Sequence, residues 1–141
     1  MALDRETIGR RLAKLEGYLT LLHELEGVDE ETFVAEPKIH FYAAYLLQLA
    51  IQCVLDIGAH MVSGLNLGQV DKYADIPALL ARRGIVSEEL AVELAKMFGL
   101  RNILVHEYLE VDFRALYSFI KSKLSDFKEF ATNINRFLEG G

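Results

Sequence analysis

Between Ile39 and Val62 the chain runs for 24 residues without a lysine or an arginine. A stretch of that length and character either crosses a membrane or forms the central helix of a bundle. The polar residues decide between the two. Gln48, Gln52, Asp56 and His60 stand four apart, preceded at the same spacing by His40 and Ala44. Four residues advance a helix by about 400°, so these groups form one slowly drifting stripe. Lipid would leave Asp56 and His60 without partners on that stripe. The segment therefore reads as a core helix with one polar face, and no membrane contact is expected. Two readings of the face stay open: it meets water, or it lines a polar groove at a subunit interface. Asp56 and His60, one turn apart, can pair on it.

The other elements follow from apolar spacing and caps. Residues 4–26 read as a helix, with Ile8, Leu12, Leu15, Leu19 and Leu22 recurring at three and four before Gly27. Residues 28–36 are acidic and read as irregular. Pro37 suits the first turn of the central helix, which runs to about Val62 with Gly64 as a stop. The stretch 65–75 reads as a loop, and Ile76–Arg83 as a short helix closed by Gly84. Ser87 can cap a further helix that opens with Glu88 and Glu89, and Gly99 is expected to weaken it midway. Asp112 can cap the last helix, whose apolar face is Phe113, Leu116, Ile120, Leu124, Phe127, Ile134 and Phe137. No run alternates with a period of two. The expected fold is all-α, an up-and-down bundle of four long helices plus one short one, forming a single domain over residues 1–141.

Composition narrows the function classes. A single cysteine, Cys53, excludes an intrachain disulfide framework and any multi-cysteine zinc site. It lies in an apolar helical run, where cysteine is usually packing rather than a nucleophile. A cytoplasmic setting is the simplest, and the charged, amphipathic Met1–Lys14 does not resemble a secretory leader. The net charge of −6 opposes broad coating of nucleic acid but leaves room for a small local anion site. Arg82, Arg83, Lys72 and Lys96 are possible phosphate contacts at such a site, ranked below the ordinary reading of charged helix residues as simply solvated. A four-helix metal–carboxylate enzyme would need Glu-x-x-His pairs. The residues three before His23, His40, His60 and His106 are Thr20, Pro37, Ile57 and Ile103, so none exists. No phosphate-cradling or dinucleotide glycine fingerprint is present, and no cofactor is expected.

The most informative segment is Arg101-Asn102-Ile103-Leu104-Val105-His106-Glu107-Tyr108. It gathers a fixed cation, an amide, an imidazole and a phenol within about two helical turns. On a continuous helix Asn102 and His106 share a face, as do Arg101 and Tyr108, while Arg101 and His106 are about 140° apart. A second copy of the segment from a symmetry partner can close that gap. An Arg-x4-His pair arises by chance roughly 0.2 times in such a chain, and the flanking Asn and Tyr lower that to the order of 10⁻⁴. The bland reading remains a satisfied surface histidine beside core-like Ile103, Leu104 and Val105.

Arg-x4-His-x-Tyr, written here as RNILVHEY, resembles the signature of the HepT-like branch of the HEPN superfamily. AIQCVLDIGAHMV, ALLARRGIVSEELA and MFGLRNILVHEYLEVD resemble the same branch, so the likeness spans roughly Pro37 to Phe130. It implies a helical homodimer acting as a metal-independent endoribonuclease. It further implies the toxin of a toxin–antitoxin pair, whose antitoxin is an MNT-type nucleotidyltransferase that attaches AMP to the motif tyrosine. Carried over, Arg101 and His106 are the catalytic pair, Asn102 positions substrate, and Tyr108 is the AMPylation site. Asp56 and His60 are supporting candidates only. An alternative is a non-catalytic HEPN module that docks on a nucleotidyltransferase and helps bind its substrate.

Overall fold

The computed structural model describes residues 3–140. Met1, Ala2 and Gly141, the ends of the expected domain, lie outside the described residues. Six α-helices follow one another: α1 (Arg5–Glu24), α2 (Glu30–Ala35), α3 (Pro37–Gly64), α4 (Asp75–Arg82), α5 (Glu88–His106) and α6 (Phe113–Gly140). Short 3₁₀ turns sit at Leu25–Gly27 and Tyr108–Glu110. Among the described residues there is no strand, and the fold is the expected all-α bundle of four long helices.

It has two short helices rather than one. Residues 28–36, expected to be irregular, contain α2. Its glutamates at positions 30 and 31 fill the first turn, where carboxylates suit the helix dipole. Its Phe33 is 1% exposed and inserts into the core. Arg114 of α6 bonds both glutamates, at 2.7 Å to Glu30 and 2.8 Å to Glu31. A six-residue helix has little intrinsic stability; the tertiary anchor, invisible in local spacing, holds it.

The capping expectations agree with the structure. The Ser87 hydroxyl accepts from Leu90 N–H at 3.0 Å. Asp112 Oδ1 accepts from Arg114 N–H at 3.0 Å and from Ala115 N–H at 3.2 Å. Replacing Asp112 with alanine is expected to cost about 1 kcal/mol of unfolding free energy, the ordinary worth of such a cap, read by urea titration. Gly84 closes α4 with φ +81°, its own N–H reaching Ala81 O at 2.9 Å and that of Ile85 reaching Leu80 O at 2.9 Å. Those paired bonds form a Schellman stop, where glycine carries no steric penalty. Gly99 does not interrupt α5, which continues to His106 because Met97, Phe98 and Leu104 are buried on either side of it.

Helix α3 is the centre of the bundle. Its Leu47, Ile51, Ile57 and Met61 are fully buried against a core that includes Ile8, Leu15 and Leu22 of α1, Leu94 and Phe98 of α5, and Phe127 and Phe130 of α6. Where α4 crosses α3, a Cβ at Gly58 would stand 2.6 Å from the Ile76 side chain, so glycine permits the close approach. The helix is long and apolar enough to cross a membrane by composition, and here most of its apolar window is buried against the other helices, with Phe41 and Tyr45 left exposed near its start.

Candidate active site

The motif occupies the last two turns of α5 and the turn beyond. Asn102 and His106 are both exposed and one turn apart, as their spacing requires. The helix then ends, because Glu107 leaves helical geometry at φ −129°, ψ 40°. Tyr108 therefore does not share a helical face with Arg101, contrary to the expectation from a continuous helix. It sits on the 3₁₀ turn with 65% of its surface exposed.

Arg101 is directed to α3. Its Nε–H donates to Gln52 Oε1 at 2.7 Å, and its guanidinium carbon lies 5.8 Å from the centroid of the Tyr73 ring. One terminal nitrogen approaches Asn102 Oδ1 at 3.5 Å. Gln52 Nε2 donates in turn to Asp56 Oδ1 at 2.8 Å, and Asp56 Oδ2 faces Arg11 of α1 at 3.7 Å. The expected Asp56–His60 pair is not formed. Packing of α1 on α3 brings Asp56 a permanent cation, Gln52 takes its other oxygen, and His60 is exposed.

The polar stripe thus divides. His40 leaves it for the core: it is 6% exposed, its Nδ1 lies 3.0 Å from Phe33 O, and its ring stacks on Phe113 at 3.8 Å. Gln48 lines a cleft of about 160 Å³ with Phe41, Tyr45, Tyr108 and Phe113. The middle of the stripe, Gln48 to Asp56, therefore faces the motif, and His60 meets water. Sequence reasoning had Gln52 on the stripe but not in the site. The signal was there: a neutral amide one turn before an aspartate, in a stretch from Ile39 to Val62 that supplies no lysine or arginine.

Of the four cations named as possible phosphate contacts, Lys72 shares a cleft with Asn102 of the motif. That cleft, of about 620 Å³, lies between the loop after α3 and α5, and Tyr73 and Asn102 line it too. The loop is braced by Asp75, whose Oδ2 accepts from Asp71 N–H at 3.0 Å and Lys72 N–H at 3.1 Å. The Lys72 and Asp71 bonds hold the Asp75 carboxyl below its ordinary range. Lys96 is paired with Glu93 at 3.0 Å. Arg83 lies over the Phe137 ring, 5.4 Å from its centroid, beside a separate cleft that Arg5 and Arg136 share. Arg82 is exposed at the end of α4.

Cys53 is buried in α3. Burial, with the Asp56 charge adding to it, pushes its thiol above the ordinary value. Iodoacetamide is accordingly expected to leave Cys53 unmodified in the native protein at neutral pH and to alkylate it after denaturation, as read by intact mass.

The bundle and the motif at the end of α5 together define a HEPN-type helical domain. The family profile described as ribonuclease HepT-like matches residues 11–134, and the chain belongs to that family. It is 31% identical over 133 residues to the tRNA nuclease HepT of Aphanizomenon flos-aquae, covering 93% of this chain and 89% of that one. Its fold matches Bacillus subtilis YutE, described as a cytosolic protein of unknown function. That match has a TM-score of 0.89 at 28% identity, over 99% of this chain and 94% of the other. It also matches the tri-AMPylated Shewanella oneidensis HEPN toxin solved in complex with its MNT antitoxin. There the TM-score is 0.84 at 26% identity, over 92% of this chain and 96% of the toxin.

Proposed function

We propose that the protein is a cytoplasmic, metal-independent endoribonuclease. In this reading it is the toxin of a toxin–antitoxin pair, and a nucleotidyltransferase antitoxin silences it by attaching AMP to Tyr108. The observation that carries the reading is Arg101, Asn102 and His106 at one end of α5, with the Tyr108 phenol exposed beside them. Membership of the ribonuclease HepT-like family and the likeness to an AMPylated toxin held by its antitoxin support it.

The chemistry suits these groups. Attack of an RNA 2′-hydroxyl on the neighbouring phosphorus needs a proton removed from that oxygen and another delivered to the departing 5′-oxygen, leaving a cyclic phosphate. Imidazole performs either transfer. Charge gathers on the non-bridging oxygens in the transition state, where a guanidinium supplies a planar fork of donors. Asn102, on the His106 face, orients the imidazole or donates to phosphate. In one chain Arg101 points to α3 and His106 to solvent, which supports the reading that the site is completed in a homodimer where two motifs meet. Phe41 and Tyr45, each 59% exposed beside Tyr108, form the apolar rim that a second copy covers. AMP on Tyr108 adds bulk and negative charge where the substrate phosphate has to bind.

The test is cleavage of RNA in EDTA by protein whose intact mass shows no AMP, beside Arg101→Ala and His106→Ala. Cyclic-phosphate ends from the wild type, with both folded variants inactive, are expected. No cleavage by the unmodified dimer, or equal cleavage by all three, sinks the catalytic assignment in favour of a binding module.

A further inference from the structure

The chain from Arg101 through Gln52 to Asp56 and Arg11 is the most highly connected polar feature near the motif, and it joins three helices. Its chemistry is directional. Arginine only donates and a carboxylate only accepts, so a group between them must accept on one side and donate on the other. A glutamine does this without adding charge. Its orientation follows from its neighbours: reversing the amide would set its NH₂ against the guanidinium and its oxygen against Asp56 Oδ1. Asp56 therefore holds the Gln52 amide with Oε1 towards Arg101, at 2.7 Å from Nε.

We propose that Gln52 is a positioning residue that grips Arg101 by Nε and so leaves both terminal nitrogens of the guanidinium for a phosphodiester. The inference rests on the ribonuclease reading for its consequence, though not for the contact itself. The Tyr73 ring, 5.8 Å from the guanidinium carbon, limits the plane from another side. The 3.5 Å approach to Asn102 is too long to occupy a terminal nitrogen strongly. A carboxylate in place of Gln52 would also accept from Nε–H, but it would neutralise the cation that the phosphate needs. Neutrality at position 52 is thus part of the device, and Asp56, one turn further along, supplies order without touching Arg101.

The experiment combines kinetics with a direct view of the contact. The Arg101 Nε–H resonance is assigned in a ¹⁵N correlation spectrum by its loss in Arg101→Lys. Gln52→Met keeps the length of the side chain and removes the acceptor. It is expected to shift that resonance to the solvent-exchanging position and to lower kcat by about 10–10²-fold, with KM changed less than about threefold, the pattern of a misplaced transition-state donor. Gln52→Glu is expected to keep the resonance protected and still lose activity. Asp56→Asn, at a half-buried position, moves both readouts in the same direction by less, and it serves if Gln52→Met does not fold. An unmoved resonance in Gln52→Met overturns the proposal whatever the kinetics, and so does wild-type kcat. If the wild type cleaves no RNA while the resonance still shifts in Gln52→Met, the grip on Arg101 stands and the ribonuclease reading falls alone.

Discussion

His106→Ala is expected to lower the rate of RNA cleavage by about 10²–10⁴-fold, the range for loss of one general acid or base. At 1.36 kcal/mol per decade that is roughly 2.7–5.4 kcal/mol of barrier. The fold should scarcely notice. His106 is exposed on the last turn of α5, where a cationic imidazole at a helix C-terminus is worth about 0.3–1 kcal/mol and a neutral one less. The catalytic loss therefore exceeds the folding loss several-fold, and the two separate in one preparation by urea titration beside initial rates. Asparagine at the same position retains a donor but cannot shuttle a proton near neutrality, so it should be as inactive as alanine. A His106→Ala protein that cleaves within threefold of wild type removes His106 from the mechanism.

Phe127→Ala is expected to be among the most damaging single truncations in the core, costing about 3–5 kcal/mol. Phe127 is fully buried on α6, and its removal leaves a cavity as well as losing the transfer energy of a ring. A domain of this size holds about 5–15 kcal/mol in total, so between a fifth and all of the stability goes. Val92→Ala, at a position 55% exposed on α5, is the control and should stay within about 0.5 kcal/mol. A midpoint for Phe127→Ala close to that of the control would show that α6 is not integral to the core. Cleavage by Phe127→Ala below its midpoint should match wild type, since no motif residue lies on α6.

The long helices were legible because amphipathic spacing and short-range caps are local properties. The face of α6 from Leu116 to Ile134 and the Ser87 and Asp112 caps needed no tertiary information. What escaped needed it. The helix at Glu30–Ala35 depends on Phe33 in the core and on Arg114, about 80 residues away. His40 shows the reverse failure. Spacing placed it on a polar stripe, yet Phe113 and the Phe33 carbonyl make a buried imidazole acceptable. Within the motif, Asn102 and His106 were placed correctly by i, i+4 geometry. Tyr108 was not, because the helix breaks at Glu107, a residue type with no strong stop signal. Gln52 was visible on the stripe, but its partner on α5 could be found only once the helices were packed.

That break at Glu107 separates two kinds of precision. Arg101 and His106 ride on a rigid rod, where register is held by the hydrogen-bond ladder of α5. Tyr108 rides on a short 3₁₀ turn that ends two residues before the α6 cap, Asp112. A phenol on a projecting turn can be threaded into the cleft of another protein, which a side chain embedded mid-helix cannot. The proposed catalytic pair and the proposed site of AMP addition are neighbours in sequence but ride on separate elements. On the proposed reading, a partner can mark the toxin without unwinding the helix that carries the blade.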